Sequence, residues 1–139
     1  MEDFTKLWCF RISALSRRIS RSYNNQCLKF GITASQSFVI FDLLANEGSS
    51  VKDIALHIQL DSPAVTGLID RLLKEELVER KEDPSDRRSL QVYLTAKGRK
   101  LAEDLRPVGI EYNQYIRDIF TPDEEESFEK CLSKLESKL

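Results

Sequence analysis

Residues 54–98 read IALHIQLDSPAVTGLIDRLLKEELVERKEDPSDRRSLQVYLTAKG, and changes of hydrophobic period inside this stretch decide the fold. Val51, Ile54, Ala55 and Ile58 recur at helical spacing. A turn near Gln59 and Leu60 then leads into Asp61-Ser62-Pro63. Ser62 is expected to cap a second helix, because Pro63 has no amide needing a partner and its φ is already helical. Val65, Leu68, Ile69 and Leu72 give that helix an inward stripe, with Pro63, Thr66, Gly67, Asp70 and Lys74 on the opposite side. Two short helices with a tight joint, the second carrying small polar residues outward, meet the geometric needs of a unit that reads a DNA major groove.

The period changes at Leu77. Val78–Lys81 and Leu90–Leu94 are short extended segments, joined by the polar connection Glu82–Ser89, which is too long for a minimal hairpin turn. A protruding two-stranded ribbon directly after a helix-turn-helix is a wing. Arg87 and Arg88 at its tip can offer guanidinium forks to phosphates or to a narrow A-T-rich minor groove, with Asp86 placed to orient one of them.

Outward from this lobe, Phe4, Leu7, Trp8, Ile12, Leu15, Ile19, Tyr23 and Cys27 predict one long amphipathic helix from residue 4 to about 29, closed by Gly31. Thr33 and Gln36 form a capping-box pattern for a helix from Ala34 to about Ala45. On the other side, Leu101, Leu105, Val108, Tyr112, Tyr115, Ile116, Ile119 and Phe120 continue an apolar face past Pro107, where a bend is expected. Thr121-Pro122-Asp123-Glu124 opens a last helix, with Phe128, Cys131, Leu132, Leu135 and Leu139 on its apolar side. These outer helices hold more apolar surface than a small winged module needs. Homodimerisation about a two-fold axis is the expected use, repeating the reading helices at roughly 34 Å, one DNA turn, over a pseudo-palindromic double-stranded site.

The 139 residues suit one domain, and 41% apolar against 32% charged residues with only 5 Gly and 4 Pro favours a helical globular chain. The net charge of −2 carries no whole-chain signal for nucleic acid. Its distribution does: residues 11–41 hold Arg11, Arg17, Arg18, Arg21 and Lys29 without an acid, whereas 121–139 are predominantly acidic. Three widely separated cysteines, Cys9, Cys27 and Cys131, lack zinc or disulfide spacing and fit a reducing cytoplasm. No apolar run approaches the roughly 18 residues needed to span a bilayer, and the start lacks the pattern of a cleaved leader, so no membrane partner is expected.

Chemistry other than binding finds little support. His57 is the only histidine and has no metal-ligand spacing around it, and no glycine-rich phosphate loop occurs, so neither metal nor cofactor nor catalytic residues are expected. Within the reading lobe, Thr66 can donate to a base edge or phosphate, and Ser62 with the free helix amides suits a phosphate oxygen. Gly67 signals either close approach to DNA or loose packing, and Arg71 either clamps phosphate or pairs with Asp70 or Glu75. Gln36, Ser37 and Lys52 lie near helix starts where contacts to the DNA backbone are expected. Cys9, between Trp8 and Phe10, is either apolar filling or a reactive thiol in the positive field of Arg11. Cys27 and Cys131 fall on expected inward faces.

With these residues in place, the chain resembles the MarR family of winged-helix transcriptional regulators over nearly its whole length, most specifically from Ile54 to Gly98. The resemblance implies a single winged-helix domain, mainly α with a small β-wing. Residues 1–30 and 99–139 would form a helical dimerisation region, and 33–98 the DNA-binding lobe. It also implies that Arg88 enters the minor groove with Asp86 as its orienting partner, Arg87 being a further contact. Gly67 stands where a basic residue is frequent in the family. The LWCF segment around Cys9 is similar to the LCF of the organic-hydroperoxide-sensing branch, with Tyr23 at the position of a thiol-engaging tyrosine, whereas Ser13 and Ala34 replace that branch's further tyrosines. The implied activity is that of a repressor of an inverted-repeat operator, responding to a small apolar or phenolic effector. The alternatives are a peroxide sensor acting through Cys9, or a protein-interaction adaptor that does not use DNA.

Overall fold

The computed structural model describes residues 3–139. It divides into two compact units, one ending at Arg106 and the other Pro107–Leu139. The elements run α1 (Trp8–Cys27), α2 (Ala34–Ala45), α3 (Val51–Ile58), α4 (Ser62–Lys74), β1 (Val78–Asp83), β2 (Asp86–Leu94), α5 (Ala96–Arg117) and α6 (Pro122–Glu136). The fold is mainly helical with one antiparallel hairpin, β1–β2, as the wing.

The core of the first unit is the joint product of the three short helices and the root of the wing. Val39, Ile40 and Leu43 of α2, Ile54 of α3, Val65, Ile69 and Leu72 of α4, and Val92 of β2 are all excluded from solvent. Ala102 and Leu105 of α5 are buried as well. Side chains of the Val, Leu and Ile type contribute about 1.5–3 kcal/mol each when fully buried, so this cluster holds the helices in their mutual arrangement. The stripe expected on α4 is present, with Leu68 half-buried at its edge.

Local chemistry sets the helix ends. The Thr33 hydroxyl accepts from the Gln36 amide at 3.2 Å while Gln36 Oε1 accepts from the Thr33 amide at 2.7 Å, the reciprocal box expected for α2. The cap of α4 lies one residue earlier than expected: Asp61, not Ser62, accepts from the Ala64 amide at 2.8 Å, leaving Ser62 and Pro63 in the first turn. A carboxylate at this position satisfies an orphan amide and also opposes the positive helix end.

The amino-terminal segment brings a second correction. The predicted helix from residue 4 is broken into a 3₁₀ turn (Phe4–Lys6), an extended Leu7 with ψ 136°, and α1. The cause is local: Asp3 accepts from both the Thr5 amide at 3.0 Å and the Thr5 hydroxyl at 2.6 Å, which closes a tight turn before the helix can begin. At the far end a 3₁₀ turn (Leu28–Phe30) ends on Gly31 at φ 77°.

In the second unit, Thr121 and Glu124 form another capping box, and Arg117 pairs with Glu125 across the connection. Phe120 stacks on Phe128 with ring centroids 5.2 Å apart. Nevertheless α6 buries no residue, and Cys131, expected inward, is exposed. The helix has the expected apolar face, but nothing among the described residues covers Cys131. Ile110, Tyr115 and Ile119 are likewise exposed, as are Leu7, Trp8, Ile12, Leu15 and Ile19 around α1 in the first unit.

Among the described residues no single helix is long and apolar enough to cross a membrane.

Candidate nucleic-acid interface

The outward face of α4 is laid down by subtraction: Val65, Ile69 and Leu72 turn inward, so Ser62, Pro63, Thr66, Gly67, Asp70, Arg71 and Lys74 are left on the outer side. The face is low and almost free of long side chains in its first two turns. A Cβ added at Gly67 would meet nothing within 4 Å, so no neighbour within the chain requires glycine there. The Thr66 hydroxyl donates to the Ser62 carbonyl at 2.9 Å, so its proton is committed to the helix and its oxygen faces outward as an acceptor.

Arg71 makes no ion pair among the described residues. The expected partner Asp70 is taken by Arg80 of β1 at 2.8 Å, which leaves Arg71 to solvent. Lys52, in the first turn of α3, is also exposed and has no ion pair among the described residues. Ser50 caps α3 by accepting from the Asp53 amide at 3.1 Å, and Gln59 closes it in the left-handed conformation at φ 57°.

The wing departs from expectation in a way that sharpens it. The strands are longer than Val78–Lys81 and Leu90–Leu94, running in register from Val78↔Leu94 to Glu82↔Leu90, and the register then shifts so that Asp83 faces Asp86. The turn itself is only Pro84-Ser85, and Arg87, Arg88 and Ser89 fall in the irregular stretch of β2. Both tip carboxylates organise backbone. Asp83 Oδ1 accepts from the Ser85 amide at 2.9 Å and from its hydroxyl at 2.7 Å, bonds that hold its carboxyl below the usual range. Asp86 Oδ1 accepts from the backbone amide of Arg88 at 3.0 Å. Asp86 therefore fixes the main chain under Arg88 and does not clamp its guanidinium. Arg87 and Arg88 are both exposed and without an ion pair among the described residues.

Two assignments fail on burial. Ser37 is wholly buried, donating to the Ala34 carbonyl at 2.6 Å, and Gln36 is buried in its capping box, so neither side chain is available to DNA. Polar residues at a helix start can serve the helix itself, and here they do. Tyr23 is also buried, its hydroxyl 3.5 Å from that of Ser37, and burial pushes its phenol above the ordinary value, with Cys27 adding to the shift and Ser37 opposing it. Within one chain it lies about 21 Å along α1 from Cys9, too far to engage that thiol. Cys9 is exposed in the first turn of α1, while Cys27 is buried as expected.

Residues outside the expected contact set brace the interface. Thr95 Oγ1 donates to the Glu76 carbonyl at 2.6 Å and Lys97 Nζ to the Glu75 carbonyl at 2.8 Å, tying the start of α5 to the exit of α4. His57 places Nδ1 2.9 Å from Asp42 and so links α3 to α2. Among the described residues no group of His, Cys, Asp or Glu is arranged to hold a metal ion.

The MarR family pattern matches residues 32–90, which contain α2, α3, α4 and the wing tip. An uncharacterised helix-turn-helix-type transcriptional regulator of Bacillus subtilis, YsmB, is 33% identical over 129 residues, covering 92% of this chain and 86% of that protein. The DNA complex of Staphylococcus aureus MepR superposes with a TM-score of 0.89 at 26% identity, covering 96% of this chain and 98% of that one. Bordetella bronchiseptica BpsR, whose DNA binding is regulated by 6-hydroxynicotinic acid, superposes with a TM-score of 0.88 at 25% identity over 98% of this chain and 97% of that one. The chain belongs to the MarR family of winged helix-turn-helix transcriptional regulators.

Proposed function

We propose that this DNA-binding regulator acts as a homodimeric repressor at a short pseudo-palindromic operator. In this reading α4 lies in the major groove and the wing arginines reach the adjacent minor groove. The observation that carries the reading is the combination of a low exposed face on α4 with Arg87 and Arg88, exposed and without an ion pair among the described residues, on a braced ribbon. Phosphate contacts from Arg71, Lys52 and the first turn of α4 would set affinity, and Thr66, Gly67 and groove shape would set selectivity. Exposed apolar side chains recur along α1 and again within Pro107–Leu139, and extended exposed apolar surface marks an interaction site, which supports dimerisation.

The test is selection of duplexes from a random pool. The enriched sequences are expected to be inverted repeats with half-site centres about 10 base pairs apart. A pool that yields no symmetric motif overturns the operator assignment and leaves the adaptor reading.

Control by a small apolar or phenolic effector is the preferred mode of regulation, supported by the likeness to BpsR. Such a ligand must bind the DNA-competent and incompetent arrangements with different affinity, since equal binding shifts nothing. A peroxide response through Cys9 has less support, because the exposed thiol lacks Tyr23 as a partner within the chain. Titrating the selected duplex complex with phenolic acids and, separately, with peroxide distinguishes the two.

Gly67→Ala tests the glycine of α4. It is expected to stabilise the fold by about 1 kcal/mol, since alanine is the better helix former and its methyl group enters open space. The same methyl group should lower affinity for the selected duplex several-fold. Unchanged affinity would remove close approach to DNA as the reason for this glycine.

A further inference from the structure

The wing is a two-stranded ribbon, an element of marginal stability by itself, so its aim depends on where it is tied to the body. Its root is buried through Val78, Val92 and Leu94. The outermost rung attached to the body is Arg80↔Val92. On the β2 side of this rung, the Gly48 amide donates to the Val92 carbonyl at 3.0 Å and the Val92 amide to the Ser49 carbonyl at 2.9 Å. On the β1 side, Arg80 Nη2 donates to Asp70 Oδ1 of α4 at 2.8 Å. Beyond this rung Lys81, Glu82 and Leu90 are exposed, and the ribbon runs free to its tip.

We propose that Asp70 and Arg80 are positioning residues that form a strut between α4 and the wing, fixing the angle at which Arg88 is delivered relative to α4. The proposal rests on the DNA-binding reading. Asp70 is the one carboxylate on the outward face of α4, a face otherwise built for a polyanion, and a negative charge there is unfavourable unless it does something. Paired with Arg80 it is neutralised and joins two reading elements that would otherwise share only their buried root. Both side chains are partly solvent-exposed, so the pair adds little to global stability; its effect falls on the relative placement of the two elements.

Asp70→Asn separates a strut from mere charge. The variant has one negative charge fewer on the DNA-facing side, so electrostatics alone predict equal or tighter binding of every duplex. A strut predicts the reverse for the selected duplex, a loss of about tenfold, with affinity for poly(dI-dC) unchanged or increased. Hydroxyl-radical footprinting of the full-length Asp70→Asn protein should keep the major-groove protections of α4 and lose those of the wing. Arg80→Gln should behave alike on the selected duplex, and the exchanged pair Asp70→Arg with Arg80→Asp should recover most of the lost affinity. Thermal melting verifies that each variant is folded, and Arg80→Gln carries the test should Asp70→Asn fail to fold. Undiminished binding of the selected duplex by the single variants, or no recovery in the exchanged pair, overturns the strut while the regulator reading stands. A wild-type protein that enriches no duplex overturns both.

Discussion

Arg88→Ala is expected to weaken binding of the selected duplex by roughly tenfold to a hundredfold while leaving the melting temperature unchanged. The effect begins at the backbone. Asp86 accepts from the Arg88 amide, so the main chain below this side chain is fixed by a hydrogen bond within two residues. The guanidinium has no ion pair among the described residues and is exposed, so binding DNA requires no partner to be broken first. A pre-positioned, unpaired arginine loses less on binding than one drawn from a surface ion pair. Its removal should also reduce the dependence of affinity on salt by about one counterion per protomer, or about two for the dimer on its duplex. Asp86→Ala should give a smaller loss, since the arginine's charge is kept and only its platform is loosened. Mobility-shift titration at several salt concentrations, with sedimentation to verify the assembly, reads all three effects. Wild-type affinity in Arg88→Ala would place the wing away from the groove.

Much of this site was legible in the sequence because its chemistry is local. The capping box of Thr33 and Gln36, the inward stripe of α4 and the Asp86-x-Arg88 spacing each act over two to four residues, and each is present. What the sequence concealed is of two kinds. The first is the division of local roles between neighbouring polar residues. Asp61 caps α4 where Ser62 was expected, and Gln36 and Ser37 serve the helix start and not a ligand. The second is pairing between residues distant in the chain. Asp70 was weighed only against its helical neighbour Arg71, whereas its partner, Arg80, comes from the next element.

The joints of the reading unit, the turn near Gln59 and Leu60 and the break before Leu77, were legible from the change of hydrophobic period and not from a glycine. Both left-handed residues around α3 and α4, Gln59 at φ 57° and Glu76 at φ 57°, are not glycines, so the usual marker of a helix end is missing. The acids of the wing tip, by contrast, were misleading by composition. Counted as charges, Asp83 and Asp86 oppose Arg87 and Arg88; in the structure they accept hydrogen bonds from backbone amides and shape the turn that presents those arginines.

Gly98→Ala is expected to destabilise the protein by about 3 kcal/mol, although the same substitution at Gly67 stabilises it. The two glycines differ in what a methyl group would meet. At Gly98 an added Cβ would lie 1.9 Å from the Leu77 carbonyl oxygen and 2.9 Å from its carbon, both backbone atoms with no rotamer to yield. That carbonyl accepts from the Thr95 amide at 3.1 Å, and the Thr95 hydroxyl, besides donating to the Glu76 carbonyl, accepts from the Gly98 amide at 3.0 Å. The exit of α4, the start of β1, the end of β2 and the first turn of α5 thus meet within one hydrogen-bonded joint, and Gly98 is buried in it. Relief requires the start of α5 to move away from Leu77, breaking the Thr95 bonds and opening the packing of Leu77 and Leu94, which outweighs the roughly 1 kcal/mol that alanine gains in a helix. The expected fall in melting temperature is roughly 6–12 °C. Because α4 and the wing diverge from this joint, the folded fraction should also bind the selected duplex more weakly at low temperature. A Gly98→Ala protein that melts at or above the wild-type temperature would show that this close approach does not hold the two reading elements together.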